Sequence, residues 1–166
     1  MKRNSIVSHY LLSIDQMDAY INDLTNEEIK TIFEPMNCIG WLLGHCSFYN
    51  YSIANKISGD QIPDHAKNYM NGSPHSTPEL DVIKNIWIDS VSKVKISLNN
   101  LNDDDLKNKL TSEFKYKETP EKINLGTDIS RLIFHLWNHL GEIASVRQLL
   151  GKNPGNPGYG RWDWRY

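Results

Sequence analysis

The chain has 166 residues, 39% of them apolar and 23% charged, enough for one domain with its own core, too few for two, and unlike the weakly apolar, highly charged chains that stay unfolded. Eighteen basic side chains against twenty acidic ones leave a formal charge of -2, so there is no basic surplus to meet a phosphate backbone or an anionic membrane. A single domain over 1–166, with neither nucleic acid nor membrane as partner, is the expectation.

Helical periodicity appears four times, and the seven prolines lie outside the periodic stretches. Residues 5–24 place Ile6, Tyr10, Ile14, Met17 and Ile21 on one stripe and predict an amphipathic helix. Thr25 and Glu28 then have the spacing of a capping box, which predicts an extra turn. Residues 37–58 are apolar on more than one side, through Ile39, Leu42, Leu43, Phe48, Tyr49, Ile53 and Ile57, and Gly59 supplies a stop; this should be the most buried helix. A third helix should open at Thr77-Pro78-Glu79 and run to 101. The acidic run 103–105 reads as a solvated helix start, and 113–117 as a candidate short extended piece. The fourth helix, 127–151, carries the clearest stripe: Ile129, Leu132, Ile133, Leu136, Leu140, Ile143 and Leu150. Helices of this length predict an all-α, four-helix bundle. The connections between the second and third helices and between the third and fourth are long enough to cross the bundle, which argues against simple up-down-up-down order. The tail, 151–166, is rich in glycine and proline but ends in aromatics that suggest docking.

Lys2 and Arg3 are not followed by an apolar stretch long enough for a secretion signal, and no run approaches the roughly 20 apolar residues of a membrane-spanning helix. Cys38 and Cys46 lie eight positions apart on one predicted helix, a rise of about 12 Å, too far for a disulfide. A reduced, cytoplasmic setting is expected, with both thiols as small core residues.

The six histidines are the feature that composition leaves open. His135 and His139 are four apart on the fourth helix, so both leave one face about 6 Å apart along the axis, at the shoulder of the apolar stripe. That geometry can share a metal ion or can serve two hydrogen-bonded side chains. Open catalytic metal sites usually take three protein donors. His45 is the best third, because it lies inside the most buried helix beside Gly44, where another element can approach closely. His65 and His75 read as surface residues of the 59–76 loop, which would select the substrate if it covers the site; His9 has no assigned role.

NCIGWLLGH over 37–45 and HLWNHLGEIASVRQLLG over 135–151 together resemble the DinB-like family of damage-inducible and thiol-transferase-related proteins. The resemblance implies a bundle of up-down-down-up order holding a divalent metal, zinc or nickel, on one histidine of the second helix and an H-x-x-x-H pair of the last. The matching positions are His45, His135 and His139. It further implies a homodimer and a small-molecule substrate, with a metal-dependent enzyme that activates a low-molecular-weight thiol for transfer. A metal-dependent hydrolase is the alternative, as is a non-catalytic, stress-associated bundle whose metal site is structural or empty. Glu142, three residues after His139, would orient a ligand histidine or act as a general base, orientation being favoured. Asn37 is expected as a helix cap, Trp41 as core packing, and Arg147 as partner of a buried carboxylate or of an anionic substrate group.

Overall fold

A computed structural model describes residues 4–99, 101–108 and 123–153. Among these residues the chain is all-helical: α1 (Ser5–Ile21), α2 (Asn26–Lys30), α3 (Ile39–Ser58), α4 (Asp64–Lys67), α5 (Leu80–Asn99) and α6 (Leu125–Leu149), with a 3-10 turn at Asp105–Lys107. The candidate extended piece 113–117 and the aromatics of the tail lie outside the described residues.

Local chemistry sets the helix ends. Asn4 caps α1 by accepting from the Ile6 amide at 2.9 Å. The predicted capping box is present: Thr25 accepts from the Glu28 amide while the Glu28 carboxylate accepts from the Thr25 amide at 2.7 Å. At α3 the cap is the Cys38 thiol, which accepts from the Trp41 amide, so Asn37 is not the cap; its side chain bonds His75 instead. Gly59 ends α3 at φ 75°, a left-handed conformation that glycine adopts without penalty. Helix α5 begins at Leu80, two residues after Pro78, with its first amide donating to the Asn26 side chain at 2.8 Å. Helix α6 begins two residues earlier than the periodicity suggests, because Asn124 caps it by accepting from Thr127.

The apolar stripes meet in one principal core cluster fed by all four long helices. Helix α3 is its centre: every residue from 39 to 54 except Tyr49 is buried. It packs along α5 on one side and against α6 on another, while α1 packs on α6. Buried polar side chains also cross between helices, Tyr10 donating to Asn50 at 2.8 Å and Asn50 to Ser90 at 3.2 Å.

The long connection after α3 has a visible course. His65 lies against Tyr51, Tyr69 against Gly44, the Ser76 carbonyl accepts from Cys38, and Pro78 touches Gly40. The link therefore runs back along α3 to the level at which that helix began. Its length is explained by that return, and the segment it lays down passes directly over His45.

Candidate metal centre

Three imidazoles meet where α3 faces α6. His45 is buried in the middle of α3, and His135 and His139 come from successive turns of α6, His139 at 9% exposure. Ring centroids are 5.1 Å apart for His45 and His135, 5.0 Å for His45 and His139, and 4.3 Å for the α6 pair. One nitrogen from each ring lies within 4.8 Å of the other two, a grouping that can hold a metal ion. The pair singled out by spacing, His135 and His139, and the buried His45 are therefore brought together. The other three are not: His65 and His75 are exposed, and His9 lies on α1.

Two of the rings have their tautomer fixed by a neighbour that only accepts. The Tyr69 carbonyl lies 2.6 Å from His45 Nδ1, so that nitrogen carries the proton and Nε2 keeps its lone pair. Glu142 Oε2 lies 2.5 Å from His139 Nδ1. The hydrogen bond from His139 holds the Glu142 carboxyl below the usual range, against the opposing pull of partial burial, so Glu142 is ionised and His139 presents Nε2. That Nε2 faces Nε2 of His135 at 3.0 Å. His135 Nδ1 is buried with no partner. Protonating His135 at Nε2 leaves a bare lone pair at Nδ1; protonating it at Nδ1 leaves an orphaned donor and sets two lone pairs face to face. Neither tautomer therefore satisfies both nitrogens of His135 within the protein.

Burial and neighbouring imidazoles hold the His45 and His135 rings neutral, as metal ligation requires. Burial is the main cause for both His45 and His135, and the neighbouring imidazoles add to it; His135 is pushed down to about 3. Trp41, expected as core packing, is buried and also stacks on His45, with centroids 4.9 Å apart and planes within 15°. Tyr49 presents its ring at a steep angle to both His135 and His45, at 4.4 and 5.0 Å. Sequence reasoning counted Tyr49 as merely apolar, although its place one turn after His45 was a signal that it shares the site. Tyr69 acts through its backbone carbonyl, which no residue type advertises.

No cysteine or carboxylate among the described residues joins the three imidazoles as a fourth donor. Beside Glu142 a cavity of about 220 Å³ is lined by Pro35, Met36, Asn37 and Leu42 as well. Three nitrogen donors without a fourth are the donor count of an open metal site, in contrast to the closed four-donor shells of structural zinc. Arg147 takes no part. Its guanidinium donates to both carboxylate oxygens of Asp23, at 2.6 and 3.1 Å, to the Tyr20 carbonyl at 2.8 Å and to the Asn153 carbonyl at 2.9 Å. Its carboxylate partner is more than half exposed, not buried.

A model of the DinB superfamily matches residues 9–143, a span that includes His45, His135, His139 and Glu142. No curated protein matches the chain.

Proposed function

The chain belongs to the DinB superfamily, and from that membership and its three converging imidazoles we propose a metal-dependent enzyme that transfers a low-molecular-weight thiol onto a small electrophilic substrate. In this reading His45, His135 and His139 hold one divalent ion, zinc or nickel. The observation that carries it is the donor set: two rings have Nδ1 committed to fixed acceptors, which frees Nε2, and no fourth protein donor closes the group among the described residues. An ion held there supplies positive charge that makes a thiol or a water nucleophilic near neutral pH.

The chain's own residues orient and shield. The Tyr69 carbonyl and the Glu142 carboxylate hold two imidazoles in the ligating tautomer. Because Glu142 is committed to His139, we assign it positioning rather than proton transfer. Trp41 and Tyr49 wall the rings from water, and the cavity beside Glu142 is of a size for a small substrate group. An up-down-down-up bundle over one domain completes the proposal. It is supported by the pairs Asn50–Ser90 and Ser58–Ser97, which run in the same order along α3 and α5, and by His45–His139 and Lys56–Asp128, which run in opposite orders along α3 and α6.

Metal content by mass spectrometry tests the site, after loading with zinc or nickel and desalting. The native chain should retain close to one ion, and His45→Ala, His135→Ala and His139→Ala close to none; a native chain that retains none overturns the reading. Loaded protein should then consume thiol against a generic electrophile. Turnover of activated esters without thiol would replace the transferase assignment by the hydrolase one, and silence in both assays would leave a metal site without catalysis.

A further inference from the structure

One residue of the returning link touches two successive residues of α3. A Cβ placed on Gly44 would lie 2.4 Å from Cδ1 of Tyr69 and 2.6 Å from its Cε1 and Cγ, separations that carbon atoms do not tolerate. The Tyr69 ring is thus seated directly on the helix backbone at Gly44, and it is buried there. The carbonyl of the same residue accepts from His45 Nδ1 at 2.6 Å. Tyr69 is itself held from behind: its amide donates to the Ala66 carbonyl at 3.1 Å, and Ala66 is buried against Phe48 and Tyr51 of α3.

We propose that Tyr69 is a positioning residue for the metal centre: its ring, seated on Gly44, holds its carbonyl against His45 Nδ1 and so selects the tautomer that offers Nε2 to the ion. The inference rests on the metal reading above and adds to it the segment that makes His45 competent. A helical glycine with an open neighbourhood gains helix stability on conversion to alanine. Gly44 is different, because the space its Cβ needs is already filled by the ring that fixes the histidine. Linkage makes the effect reciprocal: if the seated Tyr69 favours the ligating tautomer, metal must favour the seated Tyr69.

Two readouts test this, metal affinity by competition with a chromophoric chelator and the His45 tautomer by long-range proton–nitrogen correlation spectra of the imidazole. Gly44→Ala and Tyr69→Ala should each weaken metal binding by about 10- to 100-fold, the range for loss of a group that orients a ligand histidine. Tyr69→Phe keeps the ring carbons and the carbonyl and should bind within about twofold of the parent. Gly141→Ala, with nothing within 4 Å of its Cβ, is the control for helix propensity and should also leave affinity unchanged. In the double variant Gly44→Ala, Tyr69→Ala the alanine at 44 should add no loss to that of Tyr69→Ala, since the ring it displaces is gone. His45 should be Nδ1-protonated in the parent and mixed in Gly44→Ala. Should Gly44→Ala lose its helical circular dichroism, Tyr69→Ala carries the test alone. Parent-like affinity in both single alanine variants, alongside loss in His45→Ala, overturns the proposal. If the parent binds no metal, the metal reading fails instead, and the tautomer spectra of the metal-free chain still decide the inference: an unchanged His45 signal in Gly44→Ala overturns it.

Discussion

Two polar groups are buried against α3, and they are finished differently. On one side of the helix Tyr10 donates to Asn50, Asn50 donates to Ser90, and Ser90 donates to the Trp87 carbonyl at 2.8 Å, so each polar atom in that relay is partnered within the protein. Facing α6, the imidazoles of His45, His135 and His139 are held from outside, yet His135 Nδ1 stays bare and two Nε2 atoms face one another. Burial of a polar group costs free energy unless it is partnered. The relay through Asn50 meets that condition and reads as structure; the histidine cluster does not meet it and is the grouping that can hold a metal ion.

The largest effect should come from His135→Leu, which separates the two kinds of burial in one variant. Metal affinity should fall by about 100-fold or more, beyond the loss expected for a group outside the ligand set. Stability of the metal-free chain should change by no more than about 1 kcal/mol, because Nδ1 had no partner to lose and the leucine's buried apolar surface offsets the one contact removed, that of Nε2 with His139. Urea unfolding with and without metal measures both. A metal-free His135→Leu chain destabilised as strongly as a core variant would place the histidines with the structural relay and erase the contrast.

Asn50→Ala is the converse. It strips Tyr10 of its acceptor and Ser90 of the donor on its hydroxyl oxygen at once and opens a small cavity, and a loss of about 2–4 kcal/mol is expected in metal-free unfolding. Metal binding by the chain that remains folded should stay within about threefold of the parent, since Asn50 touches none of the three imidazoles. A smaller change is expected at Glu142. Removing the acceptor in Glu142→Ala should weaken metal binding by about tenfold. Glu142→Gln should do less, because its amide oxygen can take the same proton from His139 Nδ1. Equal losses in the two variants would show that charge matters there more than the hydrogen bond.

Much of this was legible in the chain, and the reasons are local. The four stripes could be read because helical period is written in neighbours three and four apart; the capping box of Thr25 and Glu28 is likewise a short-range pattern realised as written. His45, His135 and His139 could be grouped because two shared a helix face and the third stood out as a polar residue in an apolar segment. What could not be read depended on contacts across the fold or on atoms without a residue signature. The cap of α3 is the Cys38 thiol and not Asn37, because Asn37 is turned to His75 on the returning link. Helix α4 has four residues, too few for a periodicity. The anchor of His45 is a carbonyl oxygen, identical in every residue, and only Gly44 hinted that something came close.

The ion pair of Arg147 and Asp23 sharpens the comparison from the side of charge, and the effect there should be the smallest. The hydrogen bond from Arg147 is the main reason that the Asp23 carboxyl is lowered from 3.8 to about 2. A carboxyl depressed on folding stabilises the native state fully above its ordinary range, and that contribution is lost as pH falls through the folded value. The window is therefore about pH 4 down to about pH 2, and stability should drop on acidification across it. Asp23→Asn should flatten the drop. The gain at neutral pH is expected below about 1 kcal/mol, because the Asp23 side chain is 56% exposed and water screens the pair. Arg147 is buried, but in Asp23→Asn it keeps the carbonyls of Tyr20 and Asn153 as acceptors, so no buried charge is left bare. Unfolding of parent and variant at pH 7 and pH 3 checks the sign. If Asp23→Asn costs as much at pH 7 as Asn50→Ala, then charge and not burial ranks the polar contacts of this fold, and the contrast between the closed relay and the open imidazoles loses its physical basis.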